Sequence, residues 1–318
     1  MKCQKYSGIG GQAVIEGIMM KNLENYAVAV RKPDGNIEIK KDTYTSMSQK
    51  NKLCGLPFVR GVFALVDSLV LGMKTLSYSA SFFEDDEDSE PTRLEKWLDS
   101  VFGEKLESVL ITLSMIFAFV IAIGLFMLLP MFISTLLKRV VDSYAIIAIC
   151  EGLIRLGLFI LYIWAISHMP DINRTFMYHG SEHKCINCIE HGLPLTVANV
   201  IQSSKEHKRC GTTFLIDVMV ISIIFFMAIR VETLWMRALT RIILVPVIAG
   251  VSYEVLRLAG RYDNKLVDII SRPGMWMQSL TTKEPTSDMA EVAIQAVESV
   301  FDWKAYLKEN FGWKETMQ

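Results

Sequence analysis

The sequence predicts a mainly α-helical membrane protein, with about four transmembrane helices and a small α+β cytosolic region at the N-terminus. Three observations carry this prediction. Hydrophobic residues make up 51% and charged residues 21% of the 318 residues, with a mean hydropathy of +0.31. That balance excludes a disordered chain and argues against an ordinary soluble enzyme. Residues 109–137 run without a charge, beyond the ~20 apolar residues that a spanning helix needs. Alternating apolar runs punctuated by glycines and turn residues fill the first 41 positions, as in a small sheet.

Taken in order, residues 1–83 read as a cytosolic β-hairpin unit followed by an amphipathic helix. The run from Gly10 to Met20 has the glycine punctuation of a strand, and its paired glycines suit a tight turn better than a phosphate cradle, since no Gly-Lys-Ser/Thr follows. Residues 26–31 and 37–41 alternate around Pro33-Asp34-Gly35-Asn36, a hairpin signature. Over 59–83, Arg60, Asp67 and Lys74 recur every seven residues and so share one helical stripe. Such a helix lies on the membrane surface, packs on the spanning bundle, or is a plain amphipathic core helix. Residues 84–108 form an acidic linker and pre-membrane helix, the run Glu84–Glu90 being a solvated break rather than a metal site.

Residues 109–256 hold the membrane helices, with a central His/Cys loop over 169–213. The first apolar segment, 109–137, exceeds the bilayer core and is expected to kink at Pro130. Three others, 156–167, 218–229 and 242–253, are too short to cross unless they take in Glu151 and Arg155, Asp217, or Glu254 with Arg257. Glu151 and Arg155 are four apart and meet on one helix face. Ionisable groups at membrane depth face protein or a wet cavity, whereas at headgroup level they snorkel. Residues 257–318 read as cytosolic C-terminal helices, with a turn at Arg272-Pro273-Gly274, a loop over 281–285, a helix start at Asp288 and Glu291, and an aromatic-rich amphipathic tail over 301–313.

Residues 1–108, 169–213 and 257–318 hold 27 of the 33 Lys and Arg. The expected localisation is therefore a multi-pass protein of the cell inner membrane with cytoplasmic N- and C-termini. No signal peptide is expected, because the first 21 residues lack a continuous apolar stretch behind the lysines. The expected partners are the lipid bilayer and a homo-oligomer or membrane complex. With 33 basic against 34 acidic residues, no specific nucleic acid is expected.

Candidate chemistry concentrates between residues 168 and 213. His179-Gly180-Ser181-Glu182-His183 has the spacing H-x-x-E-H. On a helix, His179 and His183 share a face and can reach one divalent metal, with Glu182 beside them as general base. Glu254 is a candidate carboxylate ligand. The plainer alternative is two histidines making ordinary hydrogen bonds in a polar loop. A second constellation is C-x-x-C…H-x-x-C, from Cys185, Cys188, His207 and Cys210. Three thiolates and an imidazole would close a tetrahedral, structural zinc site. A redox role for Cys185 and Cys188 lacks a surrounding βαβ pattern, and His191 is a spare ligand in either scheme.

Several motifs also resemble those of the bacterial YqhQ-like family, a membrane family of unknown function. They are Gly10-Gly11-Gln12-Ala13-Val14-Ile15-Glu16-Gly17-Ile18-Met19-Met20; Arg60-Gly61-Val62 with Asp67-Ser68-Leu69-Val70-Leu71-Gly72; Tyr178-His179-Gly180-Ser181-Glu182-His183-Lys184; Arg209-Cys210-Gly211-Thr212-Thr213-Phe214-Leu215; and Leu280-Thr281-Thr282-Lys283-Glu284-Pro285. The likeness spans nearly the whole chain. It implies a predicted metal-dependent enzyme with the shared set His179, Glu182, His183, His207 and Cys210. Where family members tend to have Thr and Pro, this chain has Cys185 and Lys208, so a four-ligand C-x-x-C…H-x-x-C set would be peculiar to it.

The function expected from these features is that of a membrane-embedded metal-dependent enzyme, hydrolytic, holding a divalent metal, zinc by its ligand set. His179, His183 and His207 would be ligands, Glu182 the base, and Cys210 a ligand or nucleophile. A non-catalytic, metal-stabilised scaffold or accessory factor of a membrane complex is the alternative. A small-solute or ion transporter, resting on Asp217, Glu254 and the Glu151–Arg155 pair, is the third.

Overall fold

The protein is described from a computed structural model, which covers residues 5–83, 103, 106–137, 139–208, 210–229, 231, 233–259 and 265–314. Apart from residues 103 and 106–108, the expected acidic linker and pre-membrane helix lie outside the described residues. The chain forms two compact units. One draws on residues 1–83, 162–222 and 240–318, the other on 84–161 and 223–239.

The larger unit is built on a four-stranded antiparallel sheet in the order β1-β2-β3-β4, comprising β1 (Ile9–Val14), β2 (Gly17–Asn22), β3 (Asn25–Arg31) and β4 (Ile37–Thr43). The expected hairpin is β3–β4, with Val28 opposite Lys40 and Arg31 opposite Ile37. The stretch Gly10–Met20, read as one strand, is instead two strands folded back at Ile15-Glu16. Glu16 adopts a left-handed φ of 47° at that turn. A glutamate carries no turn signal, so this hairpin is invisible in composition.

The two-residue pleat sends Ile18, Met20 and Ala29 to one face of the sheet and Met19, Val28 and Val30 to the other. Helices α6 (Pro170–Glu190) and α11 (Ser287–Glu298) pack on the first face. A single turn α1 (Met47–Lys50) leads to α2 (Val59–Ala80), which covers the second face through Leu71 and Tyr78.

The segment expected as a central His/Cys loop is largely helical, made of α6 and a short α7 (Val197–Gln202). Pro170 sits at the start of α6 with Asp171 in the first turn, a favourable helix opening. From Gly180 to Glu190 every residue of α6 is buried. A helix enclosed on all sides needs no apolar stripe, which is why its sequence reads as a polar loop. After α8 (Gly211–Ala228) and α9 (Leu234–Ala259) come α10 (Lys265–Thr281), α11 and α12 (Trp303–Phe311). The expected turn at Arg272-Pro273-Gly274 is in fact inside α10, where Gly274 lies close against Thr213.

Among the described residues, four helices are long and apolar enough to cross a membrane: Val109–Leu137, Tyr144–Ile166, Gly211–Ala228 and Trp235–Ala259. The last three take in the charged neighbours of their short apolar runs, Glu151 with Arg155, Asp217, and Glu254 with Arg257. In the smaller unit, α3 (Leu106–Ile123) passes through a π-helical turn at Gly124–Leu128 into α4 (Leu129–Leu137). Pro130 has no N–H for the carbonyl four residues back, that of Phe126. Arg155 of α5 (Tyr144–Ile166) donates its Nε to that carbonyl at 2.8 Å. Glu151 accepts from Arg155 at 3.2 Å, from Arg237 at 3.2 Å and from Ser134 Oγ at 3.0 Å. The expected pair is thus one part of a larger buried network.

Candidate metal centre

Helix periodicity sets the site. His179 and His183 stand one turn apart on α6, their ring centroids 4.4 Å apart. Cys210, the residue before α8, brings its Sγ to 3.2 Å from His179 Nε2. One ligand atom from each of His179, His183 and Cys210 lies within 4.8 Å of the others.

Both imidazoles are fixed from behind. His179 Nδ1 is 3.0 Å from the Thr281 carbonyl and His183 Nδ1 is 2.7 Å from the Lys205 carbonyl. A carbonyl only accepts, so both Nδ1 atoms carry protons, and in the neutral imidazoles it is Nε2 that presents the lone pair. Metal-binding histidines are oriented in this way. Burial works against a charged His179, yet the Cys210 thiolate, together with Glu182 and the Thr281 carbonyl, outweighs it and raises the imidazole to about 9. Burial likewise pushes the Cys210 thiol up, but His179 and His183 overcome it and hold the thiol well below its usual value.

Glu182 lines the same cavity as these groups. It is buried, and its Oε2 has no hydrogen-bond partner among the described residues. Burial raises its carboxyl above the ordinary range, against the pull of His179 and His183. The Gly11 backbone lies against this carboxylate and opposes that rise. A Cβ on Gly11 would stand 2.6 Å from the Met19 carbonyl and 3.1 Å from Glu182 Cδ. The glycine therefore serves a close approach of strand to helix rather than a tight turn.

These groups line a cavity of about 280 Å³ with Gly8–Gly11 on one side and His207 on another. His207 is not in the three-ligand group. Its Nε2 faces Glu190 at 3.5 Å, and its ring centroid is 5.8 Å from that of His183. Gln278 clamps the His207 backbone, accepting from its N–H at 2.9 Å and donating to its carbonyl at 2.6 Å.

The remaining candidates lie elsewhere. Glu254 is taken by Arg60, whose Nε donates to it at 2.7 Å, and it does not line the cavity. Cys185 and Cys188 project from α6 away from the histidine face into the apolar core. Burial raises the Cys185 thiol well above its usual value and Cys188 to about 11. The four residues of the C-x-x-C…H-x-x-C set are thus not gathered on one point. His191 donates Nδ1 back to the Asn187 carbonyl at 2.8 Å. Asp217 has no hydrogen-bond or ion-pair partner among the described residues.

Glu190, Gln278 and the carbonyls of Lys205 and Thr281 were beyond sequence reasoning. Each supports the site across many residues of chain. The Lys283 amide bonds the Phe176 carbonyl at 2.9 Å, and Lys184 meets Glu284 at 3.0 Å, so the segment 281–284 is strapped along α6.

The sequence matches, over residues 56–303, the family described as "Protein of unknown function (DUF1385)". The chain belongs to this family. It is 33% identical over 302 residues to the uncharacterized protein YqhQ of Bacillus subtilis (strain 168), covering 95% of this chain and 94% of that one. No solved structure matches it. Membership extends from before α2 to the start of α12, so it takes in the whole His/Glu/Cys arrangement.

The residues present fit a metal on two counts. Two imidazole nitrogens and the Cys210 sulfur converge, and an unpartnered buried carboxylate oxygen stands beside them. A mixed nitrogen and sulfur donor set suits zinc among divalent ions.

Proposed function

We propose that this chain is a multi-pass protein of the inner membrane, with cytoplasmic N- and C-termini, carrying a metal-dependent hydrolytic centre. The observation that supports it most is the convergence of His179 Nε2, His183 Nε2 and Cys210 Sγ beside the unpartnered Oε2 of Glu182. A divalent metal, zinc by these donors, would be held by His179, His183 and Cys210 and would supply Lewis acidity. Glu182 acts as general base, its Oε2 taking a proton from a water in the cavity. The Gly11 backbone packs closely against the carboxylate. Thr281 and Lys205 keep both imidazoles in the tautomer that leaves Nε2 bare. Three gathered donors favour this reading over the non-catalytic scaffold, because a structural zinc takes four protein ligands.

The test is Glu182→Gln, which keeps size and removes the proton acceptor. The variant is expected to reach normal abundance, retain its metal and fail to complement a deletion strain. Full complementation by a metal-loaded variant would overturn catalysis and leave the scaffold.

The 3.2 Å contact of Cys210 Sγ with His179 Nε2 supports a second reading, a metal-free Cys-His dyad with Cys210 as nucleophile. Chelation separates the two, abolishing activity in the first and sparing it in the second.

A further inference from the structure

We infer that α2 lies in the bilayer interface, its outward face covered by lipid acyl chains. This rests on the membrane reading above and on the inside-out polarity of the helix. Toward the protein, α2 buries Gly61, Asp67, Leu71, Gly72, Thr75 and Ser79, a stripe that is mostly small or polar. Outward it presents Val59, Val66, Leu69, Val70 and Leu76, all between 36% and 57% exposed. At 100° per residue these five fall within one arc opposite the buried stripe. A helix on a water-facing surface has the reverse arrangement.

The charges of the sequence stripe are spent on the protein side or its borders. Asp67 accepts from Tyr44 Oη at 2.8 Å and from the Met47 amide at 3.0 Å. Lys74 pairs with Asp42 at 2.9 Å. The apolar face keeps no charge of its own.

Continuity with a spanning helix identifies the occupant as lipid. Arg60 pairs with Glu254 of Trp235–Ala259. A Cβ on Gly61 would stand 2.6 Å from Tyr253 Cβ, and one on Gly250 would stand 2.4 Å from the Phe58 carbonyl. The start of α2 is therefore seated at the end of that span's uncharged run nearest Arg257. Leu53, Leu56 and Phe58, just ahead of it, are exposed as well. Its far end is tied to the sheet, where Ser79 Oγ accepts from the Ile15 amide at 3.2 Å. An amphipathic helix held between a sheet and the edge of a span lies along the headgroup boundary.

The experiment uses the full chain in phosphatidylethanolamine/phosphatidylglycerol vesicles, with Cys3, Cys54 and Cys150 changed to serine. A nitroxide is placed by Leu69→Cys or, independently, Val66→Cys. Asn36→Cys in the β3–β4 turn gives the aqueous reference, and Leu161→Cys on the second span gives the lipid reference. Relaxation is expected to be driven by oxygen over a water-soluble nickel chelate at positions 66, 69 and 161, and by the chelate at 36. Chelate-dominated relaxation at 66 and 69 with a lipid-type signal at 161 would overturn this inference and leave the membrane reading standing. Chelate-dominated relaxation at 161 would overturn both. Shielding of 66 and 69 from both reagents would overturn the inference in favour of a protein cover such as a second copy.

Discussion

At Gly180 an added Cβ would stand 2.0 Å from the Lys283 carbonyl oxygen. That glycine sits inside the H-x-x-E-H spacing and lets the 281–284 segment lie on α6, where Thr281 fixes His179. Gly180→Ala should therefore lower stability by about 1–3 kcal/mol, the usual overpacking cost, and weaken metal retention. Thermal melting and metal content of the purified variant check both. Glu182 gives a pH prediction. Its carboxyl is raised by burial and works as a base only when ionised. Activity should be present above that raised value and lost as pH falls through it, so the acid limb should lie above the ordinary carboxylate range. A limb at the ordinary carboxylate value would contradict the burial argument. At this scale the sequence was informative about His179, Glu182 and His183, since helical spacing alone puts them together. Glu190 and Gln278 were hidden because their partner His207 lies 17 and 71 residues away. Glu254 was misplaced because nothing in its own neighbourhood announces Arg60 as its partner.

Among elements, α6 shows where pattern reading reaches its limit. Strand β3, the long apolar helices and α11 follow from alternation, length and acidic starts. The helix at the centre of the larger unit is buried by polar as well as apolar contacts on different sides and so shows no periodicity. Lys184, for example, donates to the carbonyls of Ile201 and Ser203, each at 2.8 Å. In the smaller unit, the same polar economy holds α4, α5 and Arg237 together through Glu151. Glu151→Ala would leave two buried guanidiniums without their shared carboxylate, a loss of about 3–5 kcal/mol for a broken buried pair. The variant should accumulate poorly and melt earlier in detergent. Ser134→Ala removes one neutral donor from the same carboxylate and should cost about 1 kcal/mol. Equal effects of the two substitutions would show that the network is not held by charge.

For the whole molecule, the sequence anticipated four apolar helices but not that residues from the N-terminus, centre and C-terminus build one unit around a sheet. Such assembly depends on contacts hundreds of residues apart, for which local pattern carries no signal. Lys/Arg counting predicts a cytoplasmic reporter signal after Gln318 and none near Val140. Labelling of Cys210 from outside intact cells only would reverse that orientation. The central claim is the metal centre, and elemental analysis of the purified full-length protein addresses it most directly. About one equivalent of zinc or another divalent ion is expected, lost in His183→Ala and kept in Cys185→Thr. A metal-free wild-type protein, or loss of metal in Cys185→Thr with retention in His183→Ala, would contradict it.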